Sequence, residues 1–162
     1  MKNLFYLISI IIYAAIIPEL KAQCDYLKSA EIRHLASVNN DRRIKKLNKL
    51  NAKLLSIQDD DNNCSLRTYV LCKVYINDTQ WHWQEILSFN SCDQILSYST
   101  SSEEQFQYLK NRLLNRRYHF VEKRSYNNLD FDIYQDARGR AIELNTHPNP
   151  QGKIFYLINI LR

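Results

Sequence analysis

Residues 66–90 read LRTYVLCKVYINDTQWHWQEILSFN. Two runs rich in β-branched and aromatic residues, Leu66 to Ile76 and Gln80 to Asn90, flank Asn77-Asp78. Asn and Asp accept the backbone of a tight turn, so the stretch predicts an antiparallel hairpin. With a short turn there, paired positions sum to about 155 or 156. Position 64 then faces 91 or 92, and Cys64 and Cys92 come within reach of a disulfide. On the first strand, Val70, Cys72, Val74 and Ile76 share one face and Tyr69, Leu71 and Tyr75 the other, so both faces carry apolar side chains to cover. On the second, Trp81, Trp83, Leu87 and Phe89 form a row that Glu85 interrupts.

Period-two geometry puts Trp81 and Trp83 on one face and His82 on the other. Exposed, the indoles would stack on a sugar or a base; buried, they would be large core contributors, and their size favours burial. Trp81 and Trp83 are the candidate binding residues.

Downstream, Gln94 to Tyr98 reads as a third strand. Ser101 and Glu104 have the spacing of a capping box ahead of a helix with Phe106, Leu109 and Leu113 as its apolar stripe. Arg112, Arg116 and Arg117 lie towards its end, where cations suit the helix dipole. Four strand-like segments follow: 119–124, 129–135, 140–146 and 153–161, with a turn at Asp136-Ala137-Arg138-Gly139. In the last, Ile154, Tyr156, Ile158 and Ile160 share a face, which specifies its register.

Upstream, Asp25 to Val38 has the spacing of a short helix. Asp41 is the expected N-cap for a second over Arg42 to Ile57, with Ile44, Leu47, Leu50, Leu54 and Ile57 at three- and four-residue steps. That helix carries Arg42, Arg43, Lys45, Lys46, Lys49 and Lys53, a basic face able to meet an anionic surface.

Before it, Lys2, the apolar run Leu4 to Ile17, Pro18 and Leu20-Lys21-Ala22 have the form of a secretory signal peptide. The run is shorter than the roughly 20 residues of a membrane span. The expected organisation is a signal peptide at 1–22 and one α+β domain at 23–162, an antiparallel sheet packed against two or three helices. Export, periplasmic or extracellular, suits four cysteines as two disulfides. Cys64–Cys92 follows from the hairpin and leaves Cys24 with Cys72. Lipidation at Cys24 is disfavoured because Gln23, not a small residue, precedes it.

The 162-residue chain has a formal charge of +5. This excess suits a soluble protein that meets anionic partners but names none. Asp59, Asp61 and Asn63 have the opening spacing of a calcium loop, but Cys64 and Val70 stand where it needs Gly and Glu. No metal site and no cofactor is expected. With only two glycines, Gly139 and Gly152, a glycine-lined phosphate loop is hard to build. His82 and His119 are the acid–base candidates of a small hydrolase acting on an anionic polymer such as RNA, and only residue type recommends them.

The order of a helix and four strands over 101–162 resembles that of cystatin-like and NTF2-like sheets wrapped around a helix. The resemblance is in element order alone and implies no site residue. The leading expectation is a non-catalytic binding, inhibitor-like or immunity-type protein whose partner is another protein. The alternatives are the small basic hydrolase and a membrane-surface module using helix 42–57.

Overall fold

The computed structural model describes residues 26–59, 64–77, 80–92, 95–126, 129–148 and 154–161; over 72–77, 80–84, 126, 146–148 and 154 it describes the backbone. The expected signal peptide and Cys24 lie outside the described residues, as does the side chain of Cys72.

The fold is α+β. Its elements are α1 (Ser29–Ser37), α2 (Asn40–Lys49), β1 (Lys53–Asp59), β2 (Ser65–Asn77), β3 (Gln80–Asn90), β4 (Ile95–Thr100), α3 (Glu103–Leu113), β5 (Tyr118–Tyr126), β6 (Leu129–Asp136), β7 (Ala141–Pro148) and β8 (Ile154–Leu161). The strands form one antiparallel sheet in the order β1-β2-β3-β4-β8-β7-β6-β5. Two four-strand meanders, each preceded by helix, therefore meet through their last strands, β4 and β8. α3 carries the chain from the centre of the sheet to its far edge, from which β5 to β8 return inward.

The hairpin register is the one the turn demands. Leu66 pairs with Asn90 and Val70 with Ile86, each pair summing to 156. Bulges near Cys72 and Tyr75 interrupt the pairing without changing that sum for long, since Val74 faces His82. The Cys64–Cys92 disulfide closes the open end, with Cα atoms 5.4 Å apart.

Alternation builds the core in cross-strand rows on one face. Tyr69, Leu87, Tyr98, Ile158 and Leu144 face one another in succession across five strands. Phe89, Leu96, Ile160, Ile142 and Tyr134 make the next row. Ile32 and Leu35 of α1, Leu47 of α2 and Phe106, Leu109 and Leu113 of α3 close over these rows. Burying one such side chain contributes about 1.5–3 kcal/mol over leaving it exposed. α3 begins as its sequence requires but one residue late: Ser102, not Ser101, accepts from the Gln105 amide at 3.2 Å.

The second helix departs most from expectation. It does not run to Ile57 but ends at Lys49, and 53–59 is a strand. Asn51 takes a positive φ of 54°, a conformation asparagine tolerates at a helix end. The Ala52 amide bonds back to the Leu47 carbonyl at 3.0 Å and turns the chain out. The cap is Asn39, accepting from the Arg42 amide at 3.1 Å, not Asp41. Leu54 and Ile57, at helical spacing in the sequence, instead sit on the outermost strand.

The basic helix is also less free than its charge suggests. Arg43 is buried. It donates to the carbonyls of Leu35 (2.8 Å) and Val38 (3.2 Å) and to Asn40 Oδ1 (2.8 Å), and lies 4.5 Å from the Phe89 ring centre. Its charge clamps α1 to α2. Lys46 is 3.4 Å from Glu31. Arg42, Lys45 and Lys49 remain exposed. Arg43→Ala is expected to destabilise the fold by about 2 kcal/mol, because buried carbonyls lose their donor; a urea midpoint equal to that of wild type would refute the clamp.

Candidate functional site

Where α1 ends beside the end of α3, the sheet leaves a cleft of about 320 Å³. Its polar wall is made by the cations Arg33 from α1, Arg117 from the loop after α3 and Arg140 from the turn before β7, with the imidazole of His34 beside Arg33 on α1. Ile142 and Ile160, from the second core row, line its apolar side. Tyr118, where β5 begins, adds a phenol at the rim.

Each cation is held differently. Arg33 donates to the carbonyls of Arg112 and, at 3.4 Å, Leu113. These are orphan acceptors at the end of α3, so the bonds fix the guanidinium without neutralising it. Arg140 is paired. Its Nε donates to Asp136 Oδ2 at 2.7 Å and its Nη2 to the same oxygen. Asp136 also accepts from the Arg138 and Arg140 amides at 2.9 and 3.1 Å. The Arg140 side chain, first among several donors, holds the Asp136 carboxyl below its usual range, and the pairing raises the Arg140 guanidinium in turn. Gly139, at φ +79°, makes the turn that aligns the pair. Arg117 is exposed, its loop set by a bond from its amide to Asn115 Oδ1 at 3.1 Å. No carboxylate is among the described residues lining the cleft.

This arrangement suits an anion with an apolar neighbour. Guanidinium groups bind carboxylates and phosphates through charge-assisted, geometrically defined bonds. Ile142 and Ile160 would meet an adjoining aliphatic group. No set of three or more metal-ligating side chains occurs among the described residues.

The residues singled out from the sequence fall elsewhere. Trp81 and Trp83 stand on β3, opposite Tyr75 and Lys73 of β2; their side chains lie outside the described residues. His82 is on β3 and His119 on the edge strand β5. Four strands separate β3 from β5 in the sheet order, so pairing does not bring these histidines together. Arg117 was visible only as one of three arginines suited to a helix end. Arg33, His34 and Arg140 belong to no sequence motif, because the cleft is built from four segments distant in the chain.

A second polar feature lies inside the core. Glu85 is completely buried opposite Thr100, on the face that carries Leu87 and Phe89. The Tyr98 hydroxyl donates to its Oε1, while Oε2 has no partner among the described residues. Burial pushes its carboxyl from 4.5 up to about 8, against the pull of a bond from the Leu27 backbone.

The chain matches no protein family, and no curated protein or solved structure is similar to it. Its fold and cleft define an α+β protein with a disulfide-closed sheet and an arginine-rich pocket. No described helix is long and apolar enough to cross a membrane.

Proposed function

We propose that this is an exported, non-catalytic binding protein whose cleft takes a carboxylate-bearing, partly apolar segment of a partner protein. The observation that carries the reading is the cleft wall: Arg33, His34, Arg117 and Arg140 with no lining carboxylate, beside Ile142 and Ile160. Asp136 offsets Arg140, which leaves Arg33 and Arg117 as the net charge offered to a ligand. The volume suits one or two side chains with a carboxylate rather than a folded surface. Export is supported by the Cys64–Cys92 bridge, because disulfides persist in oxidising compartments, and by the signal-like segment at 1–22.

The membrane-surface alternative loses ground because Arg43 and Lys46 are engaged within the fold. The hydrolase alternative loses ground because four strands separate His82 on β3 from His119 on β5.

Calorimetric titration with the peptide Glu-Glu-Leu-Leu, free at its C-terminus, tests the proposal. Wild type is expected to bind with an affinity that falls as salt rises. Arg117→Glu should weaken it at least about tenfold, equivalent to about 1.4 kcal/mol. Equal affinity in the variant, or no heat with wild type, would remove the cleft as the site.

A further inference from the structure

We infer that β1 is a self-pairing edge, through which two copies of the chain join antiparallel about Ser56 into one continuous sheet. Among the described residues β1 pairs only with β2 and ends the sheet. Its middle, Leu54-Leu55-Ser56-Ile57, carries no charge. Leu54, Leu55 and Ile57 are 49 %, 47 % and 47 % exposed. Exposed aliphatic side chains along an open edge invite strand pairing, and solitary proteins blunt such edges with charge or proline.

The opposite edge, β5, also exposes Phe120 and Val121, but exposed Glu122, Lys123 and Arg124 follow them directly at its centre and blunt it with charge. Arg124 pairs with Glu122, and Lys123 lies 3.4 Å from Asp132. A β1-to-β5 contact would also leave a free edge at each end and grow without limit. Pairing of β1 with a second β1 closes on a two-fold axis.

The strand's own register selects the second copy as the occupant. Leu54 faces Tyr69 and Ser56 faces Thr68, so Leu55 is the extra residue of a bulge. Ile57 faces Arg67, which faces Phe89 on the next strand. Leu54 and Ile57 therefore share the helix-bearing face. Turning two strands about Ser56 sets Ile57 of each copy against the Leu54–Leu55 bulge of the other. The ends complement as well. Lys53 opens the strand and Asp59 closes it, so antiparallel pairing brings each lysine end to an aspartate end, twice by symmetry. A parallel pairing would bring like charges together.

A single strand pair is a small interface, so the dimer is weak and depends on concentration. None of the residues lining the cleft lies on β1. The pair would present two clefts and bind a bivalent partner with avidity.

Sedimentation velocity of the disulfide-bonded protein over a hundredfold range of concentration tests the inference. Wild type should shift from monomer towards dimer and stop there. Ile57→Lys should need at least tenfold more protein for the same dimer fraction, with an unchanged circular dichroism spectrum, since Ile57 is half exposed. Under mild oxidation Ser56→Cys should form a covalent dimer far faster than Gln58→Cys, because only position 56 meets itself across the axis. A monomer at every concentration, assemblies beyond the dimer, or equal crosslinking at 56 and 58 would each overturn the pairing.

Discussion

Glu85→Gln is expected to stabilise the protein at alkaline pH and to flatten its stability between about pH 5 and about pH 9. The Glu85 carboxyl is raised from 4.5 to about 8 because burial disfavours its charged form, and the Leu27 backbone bond recovers only part of that cost. Below pH 4.5 the group is protonated in both states and favours neither. Between 4.5 and about 8 the native protein keeps a proton that the unfolded chain has released. Stability therefore falls as pH rises through that window, by up to about 1.4 kcal/mol per pH unit. The accumulated loss reaches about 5 kcal/mol and is complete above the native value. Glutamine retains an oxygen for the Tyr98 hydroxyl and cannot ionise. Urea unfolding of both proteins at the two pH values isolates the effect, since every other titrating group is common to them. A variant as pH-dependent as wild type would show that Glu85 is ionised in the native protein.

Replacing both Cys64 and Cys92 by alanine is expected to cost about 3.5 kcal/mol, the entropy released when a loop of this length is opened in the unfolded chain. The bridge spans a sequence separation of 28. The native hairpin end has other ties that survive the change. The Ser65 amide donates to Ser91 Oγ at 2.7 Å, the Ser91 amide to the Ser65 carbonyl at 2.9 Å, and the Cys92 amide to Asn90 Oδ1 at 2.9 Å. Asn40 Nδ2 reaches the Ser91 carbonyl at 3.2 Å and joins α2 to this corner. The native structure should therefore persist, with a lower denaturant midpoint and a larger m value from the more expanded unfolded chain. An unchanged midpoint would mean that the bridge constrains nothing the hairpin does not already constrain.

These two effects also mark how far the sequence could be read. The hairpin was legible because alternation and a turn residue together leave few registers, and the cysteines agreed with one of them. Glu85 was visible as a break in an apolar row, though its neighbours in the fold were not. The four C-terminal strands were legible for the same local reasons as the hairpin. β1 was not, because Leu50, Leu54 and Ile57 have helical spacing and only the left-handed Asn51 diverts the chain. The two-meander plan was hidden as well, since joining β4 to β8 depends on contacts far apart in sequence and leaves no repeated motif. The cleft was the least legible feature. Arginine is ordinary on a surface, and only the fold brings Arg33 and Arg140 to the loop that holds Arg117.

The cleft's role is tested most directly by amide chemical-shift mapping during titration with Glu-Glu-Leu-Leu. The account predicts that the largest shifts fall on His34, Asn115, Arg117 and Tyr118 and disappear in Arg117→Glu. Shifts gathered instead on Arg42, Lys45 and Lys49 of α2, or none at all, would contradict it.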